Sequence, residues 1–237
     1  MSSQFAAQLL TAALVLFAGA NALAHGLFLF AGFDHQRGFR PLFDLSREWN
    51  APSLYSGGLI FACGAALGRA GLRLRQRGDA LWASWCFLAA VFVYLSIDEV
   101  FGLHEHLTGA TRELLHITNG PFYFAWVIPG LAFAFVVFLL SLSFLRELDR
   151  RSRFYVMLAG AVYVTGAVGF EILGGWRWRI LDGDITDPLY IVLFSIEEML
   201  EIAGMSLMLY AVLRRSELMF GADAAKAICS PGLAAQR

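Results

Sequence analysis

The chain has 237 residues, of which 58% are hydrophobic and only 16% charged, and its mean hydropathy is +0.62. A soluble domain carries about 25% charged residues, so this composition excludes an ordinary soluble fold and points to an all-α polytopic membrane protein. A net charge of −1 offers no footprint for nucleic acid, and three cysteines make no disulfide framework.

In chain order, six apolar stretches read as a bundle of six transmembrane helices, at about 5–32, 53–70, 81–105, 121–145, 154–175 and 188–213. Crossing about 30 Å of hydrocarbon takes roughly 20 helical residues, and each stretch is near or above that length. The first contains "AALVLFAGANALAHG", a signal-peptide look-alike. Its leading segment has no Lys or Arg and the apolar run continues to Phe33, so it is expected to be the first membrane helix. Pro52, Pro121 and Pro188 are each expected in a first helical turn, where a missing N–H costs nothing. Asn50 and Asp187 are placed to cap the second and sixth helices. The six tryptophans, at 49, 82, 85, 126, 176 and 178, fall near helix ends, as an interfacial belt requires. Residues 216–237 read as a short, poorly ordered tail after the transmembrane domain of 1–215.

Arginine placement sets an expected orientation. "RAGLRLRQR", "RELDRRSR" and the pair Arg214–Arg215 put ten arginines on one side, against six on the other: Arg37, Arg40, Arg47, Arg112, Arg177 and Arg179. The positive-inside rule then gives a bacterial-type inner (plasma) membrane protein with both termini in the cytoplasm.

Buried charge is confined to three spans. The third carries Asp98, Glu99, His104, Glu105 and His106; the fifth ends with Glu171; the sixth carries Glu197, Glu198 and Glu201. At 1.5 Å per residue these groups share one layer in the outer half of the membrane, and Tyr55 and Ser56 of the second span reach the same level. At 100° per residue Glu197 and Glu201 share a face with Glu198 on its flank, and Asp98 and Glu105 share a stripe bordered by Glu99 and His106. His104 points away on an ideal helix, and could turn inward only if the chain loosens at Gly102. The tetrapeptide Ser96-Ile97-Asp98-Glu99 is echoed by Ser195-Ile196-Glu197-Glu198, at unequal distances from the two helix starts, which favours convergence over duplication.

Seven acids in spans that themselves carry no Lys or Arg need protonation, water or a bound cation. Packing roles offer a simpler account of some groups: Glu171 could pair with Arg177 or Arg179, the histidines and Glu105 could be solvated, and Tyr55, Ser56 and Ser96 could be helix-packing groups. The chemistry expected of the layer is a divalent metal centre. Carboxylate-rich ligands with few histidines favour iron or manganese, with zinc or calcium possible. Glu99, Glu105, Glu171, Glu198, Glu201 and a histidine at 104 or 106 are the expected ligands. Asp98 and Glu197 would carry protons or support the ligands, and Tyr55, Ser56 and Ser96 would orient them. The function expected is a membrane metalloenzyme, a di-metal oxidoreductase or hydrolase acting on a lipid-like or periplasmic small molecule, with membrane lipid as its surroundings. The alternatives are a proton- or cation-coupled transporter and a small subunit of a larger complex.

Overall fold

The computed structural model describes residues 3–32 and 38–229. The described residues form helices joined by turns, in the order α1 (Ser3–Ala31), α2 (Phe39–Phe43), α3 (Ala51–Gln76), α4 (Trp82–Phe101), α5 (Leu107–Leu115), α6 (Val127–Leu140), α7 (Leu142–Glu147), α8 (Arg150–Val164), a six-residue π-helical segment (Thr165–Phe170), α9 (Glu171–Ile180) and α10 (Pro188–Cys229). Four helical stretches, Ser3–Ala31, Ala51–Gln76, Trp82–Phe101 and Arg150–Ile180, are long and apolar enough to cross a membrane, so this is a membrane protein. The fourth expected span is only the shorter apolar helix Val127–Leu140, and the sixth is the acid-bearing first part of α10.

Small residues decide the packing. Gly57, Gly64 and Gly71 recur every seven residues on α3, and there α4 comes close: a Cβ on Gly64 would lie 3.2 Å from the Ala89 carbonyl, and one on Gly71 would lie 2.7 Å from the Cys86 sulfur. Close backbone approach at glycine is how helices associate where lipid provides no hydrophobic drive. α10 is the central helix, packing on α1, α3, α8 and the π-helical segment. Its contact with α8 is closest at Gly204, where a Cβ would sit 2.7 Å from the Tyr163 nitrogen and 2.9 Å from the Ala159 carbonyl.

The expected caps form. The Asn50 side chain accepts from the Ser53 N–H at 3.1 Å, with Pro52 in the first turn, and Asp187 accepts from the Tyr190 N–H at 2.9 Å ahead of α10. Four expectations need correction. The span 121–145 does not begin at Pro121, because residues 120–126 form turns whose rings pack instead: Phe124 against Gly175, and Tyr123 stacked on Trp178 at 5.7 Å. The same span is interrupted at Ser141, whose hydroxyl donates back to the Val137 carbonyl at 2.7 Å, a bond that bends helices. The third span stops at Phe101 rather than continuing to 105, since Gly102 takes a left-handed φ of +56° and caps the helix. The last helix does not end near 213 ahead of a loose tail from 216 but continues through Cys229; Glu217 accepts from the Ser3 N–H and hydroxyl at 2.6 and 2.7 Å, and Phe220 is buried beneath Arg73 and Arg77. Arg37 and the last eight residues, 230–237, lie outside the described residues.

Candidate functional site

A cavity of about 900 Å³ opens between α4, α6, α8 and α10. Asp98, Glu99, His104, Glu105, Glu171, Glu197, Glu198 and Glu201 all line it, so residues far apart in the chain meet at one end of a single space.

Each element supplies its groups for a local reason. α4 ends at the left-handed Gly102, and the chain folds back so that the His104 backbone N–H donates to one Asp98 carboxylate oxygen and His104 Nδ1 meets the other, both at 2.8 Å. That reversal brings His104 inward, against its expected direction on a continuous helix. The phase argument for Glu105 fails for the same reason, since it lies beyond the helix end, yet Glu105 still lines the cavity. An Asp bonded at Nδ1 fixes the ring's orientation and leaves Nε2 as its other reactive face. The His104 ring packs on Trp126, with centroids 4.2 Å apart.

Glu171 follows the π-helical segment, whose extra residue per turn resets the helical phase of everything after it. Gly166 in that segment lets it press on α10, since a Cβ there would lie 2.7 Å from the Glu197 carbonyl. Glu171 accepts from Trp126 Nε1 at 2.6 Å and faces the Glu197 carboxyl. It does not pair with either nearby arginine. Arg177 makes a two-pronged bond to Asp187, at 2.9 and 2.8 Å, and Arg179 bonds Asp182 at 2.8 Å. On α10, Glu198 and Glu201 stand near Glu99 of α4, and Tyr163 of α8 faces Glu201.

Other expected site residues lie elsewhere. His106 Nδ1 meets the Gly102 carbonyl at 3.0 Å and is not part of the cavity lining. The Ser96 hydroxyl donates to the Gly57 carbonyl at 2.8 Å and stitches α4 to α3. Ser56 is buried beside Glu99, while Tyr55 packs on Phe17 at 5.0 Å; neither lines the cavity. Among the described residues, no three or more His, Cys, Asp or Glu side chains are grouped as they would be around a metal ion.

Among the lining residues that sequence reasoning missed are Glu48, Trp126 and Tyr163. Trp126 read as a belt residue and Glu48 as part of an outer loop, although a test of depth would have put Tyr163 level with Glu201. Burial and then the neighbouring Glu105 charge push the Glu48 carboxyl above its usual range.

A second polar cluster, also missed, sits beside the first. Asp44, 1% exposed, accepts from His25 Nε2 at 3.2 Å and from the Ser46 N–H and hydroxyl at 3.1 and 2.7 Å; Arg40 Nε and Arg47 Nε lie 3.5 and 3.7 Å from its other oxygen. Asn50 donates to the Asp44 carbonyl at 2.6 Å, and Asn21 bridges the Leu45 N–H and the Ser195 hydroxyl. The echoed tetrapeptides thus differ in use, Ser96 joining α4 to α3 and Ser195 joining α10 to α1.

No curated protein and no solved structure matches the chain. The family described as a domain of unknown function, DUF8692, matches residues 7–215, and the chain belongs to that family.

Proposed function

We propose that this protein is a membrane metalloenzyme in which the acid layer at the head of the cavity binds a divalent metal, iron or manganese before zinc or calcium. The observation that carries the reading is the convergence of seven carboxylates and His104 on one cavity whose wall contains no lysine and, as its one arginine, Arg47, which already lies 3.7 Å from Asp44. Carboxylates sharing a site cannot all ionise without shared protons or a shared cation. Glu99, Glu198 and Glu201 are near enough to feel one another's charge, and turning their side chains inward would gather them on one ion. Glu171, Glu105 and His104 Nε2 would complete the set. Asp98 would hold the imidazole, and Glu197 would pass protons to and from Glu171. A metal there would act as Lewis acid or redox centre for hydrolysis or oxidation.

In this reading α6 and the first part of α10 complete a six-span bundle in a bacterial-type inner membrane, with both termini cytoplasmic and the acid layer toward the periplasm. A transporter reading finds less support, because the cavity beyond the acids is walled by Phe144, Leu145, Val156 and Met157. Ser141 and Ser143, the polar groups of that region, bond to the Val137 carbonyl and to Ser84.

The test is elemental analysis of the purified full-length protein. Stoichiometric iron or manganese is expected, and its loss in Glu198→Gln and in Glu201→Gln. A metal-free protein that carries proton or cation flux in liposomes would replace this reading with transport. Metal-free protein held in a fixed complex would replace it with the subunit reading.

A further inference from the structure

The acid layer occupies only one end of the cavity, and the rest of its wall is mostly apolar. On α4, Leu95, Val91 and Leu88 lie successively deeper than Asp98, down to roughly 15 Å at 1.5 Å per residue. On α10, Met205 and Met208 continue the same direction beyond Glu201, and Val156 and Met157 form the α8 side. Methionine walls adapt to ligands of varied shape. A volume of about 900 Å³ is near the top of the roughly 300–1,000 Å³ range of small-molecule sites.

The α6 wall stands off from the bundle. Its main helix packing is with α7 and the π-helical segment, and Val127 is its buried residue. Phe133, Ala134 and Val137 face the cavity, and the Tyr94–Phe133 ring pair, at 5.7 Å, bridges α6 to α4. Across the cavity on α8, Gly160 leaves open space, with nothing within 4 Å of where its Cβ would stand. These walls leave room for a long slender apolar group with its polar end among the carboxylates.

We infer that the cavity takes a single-chain amphiphile, its alkyl chain along the α4–α6–α8 walls and an uncharged or cationic head, an alcohol or an amine, in the acid layer. This rests on the reading of the cavity as the substrate pocket of the proposed enzyme, and gives that substrate its chemical class. An anionic head is disfavoured because the wall sets eight acids, Glu48 included, against Arg47 and His104.

The test is native mass spectrometry of the chelator-treated full-length protein with hexadecylamine, hexadecanol, hexadecyl phosphate and butylamine. One-to-one binding of the first two is expected, with hexadecyl phosphate at least about tenfold weaker and butylamine unbound; at 25 °C a tenfold change is about 1.4 kcal/mol. Gly160→Trp, which fills the open space, and Ala134→Trp, on the loosely packed α6, should each weaken hexadecylamine at least tenfold while leaving the unfolding temperature unchanged. Equal binding of all three long-chain probes, with neither tryptophan having an effect, would mean adsorption to the apolar belt and would overturn the inference. So would preference for the phosphate. Because binding is scored without metal, a failed metal analysis and a failed amphiphile titration are separate results.

Discussion

Two buried polar regions meet on α10, where Ser195 belongs to one and Glu197 to the other, and they handle buried charge in opposite ways. Around Asp44 one carboxylate is surrounded by His25, Ser46, Arg40 and Arg47, and the loop carrying it is tied to α1 and α3 through Asn21 and Asn50. In the acid layer seven carboxylates face a cavity with His104 as the cationic candidate among them. A buried carboxylate with matched donors fixes a loop, whereas an unmatched set is high in energy until something enters it. The first region is architecture; the second is the layer proposed above to take a metal.

The contrast can be broken most severely through the helix contact that holds the acids in place. Gly204→Leu must push α8 off α10, because the nearest atoms are backbone, and should destabilise by upwards of about 3 kcal/mol. Thermal unfolding in detergent should show the loss, and hexadecylamine binding should fall with it. Unchanged stability would mean the helices part easily.

Next in size is Asp44→Asn, expected to destabilise by about 2–4 kcal/mol by leaving His25 and Arg40 facing a neutral amide. Burial opposes ionisation of Asp44, but hydrogen bonds from His25 and Ser46 prevail and hold its carboxyl at about 2. A folded value below the ordinary one near 4 means that the stabilisation is present above about pH 4 and is lost as pH falls through about 2. Unfolding curves of wild type and Asp44→Asn should therefore converge between those limits. A gap that persists at pH 2 would remove the carboxylate from the explanation.

Smaller still is Arg177→Ala. The Arg177 guanidinium holds the Asp187 carboxyl below its usual range, but the pair is more exposed than Asp44, so unfolding should shift less than for Asp44→Asn. A loss as large would make this pair the true anchor of α10. The last prediction reverses sign. In metal-free protein Glu197→Gln relieves repulsion and should leave stability unchanged or slightly raised, where a matched carboxylate would have been costly to neutralise. A large loss would show that Glu197 is as well satisfied as Asp44.

Much of this was legible in the chain. The apolar runs, the Asn50 and Asp187 caps and the shared depth of the acids follow from length, spacing and rise per residue, which are local properties. What escaped depends on breaks in helical regularity or on distant partners. The left-handed Gly102 turns His104 back to Asp98, and the π-helical segment before Glu171 shifts its phase, so arithmetic at 100° per residue fails at both. Trp126 reaches Glu171 because aromatic packing of residues 120–126 overrides the helix start at Pro121. The meeting of His25, Asn21 and Asp44 escaped because nothing in either stretch names the other.

The most direct measurement is a manganese titration of chelator-treated protein, followed by thermal unfolding. A site formed only in the folded protein stabilises it with rising metal, so the unfolding temperature of wild type and of Asp44→Asn should climb saturably. Glu198→Gln and Glu201→Gln should not respond. An equal rise in those two variants, or no rise in wild type, would contradict metal binding by the acid layer.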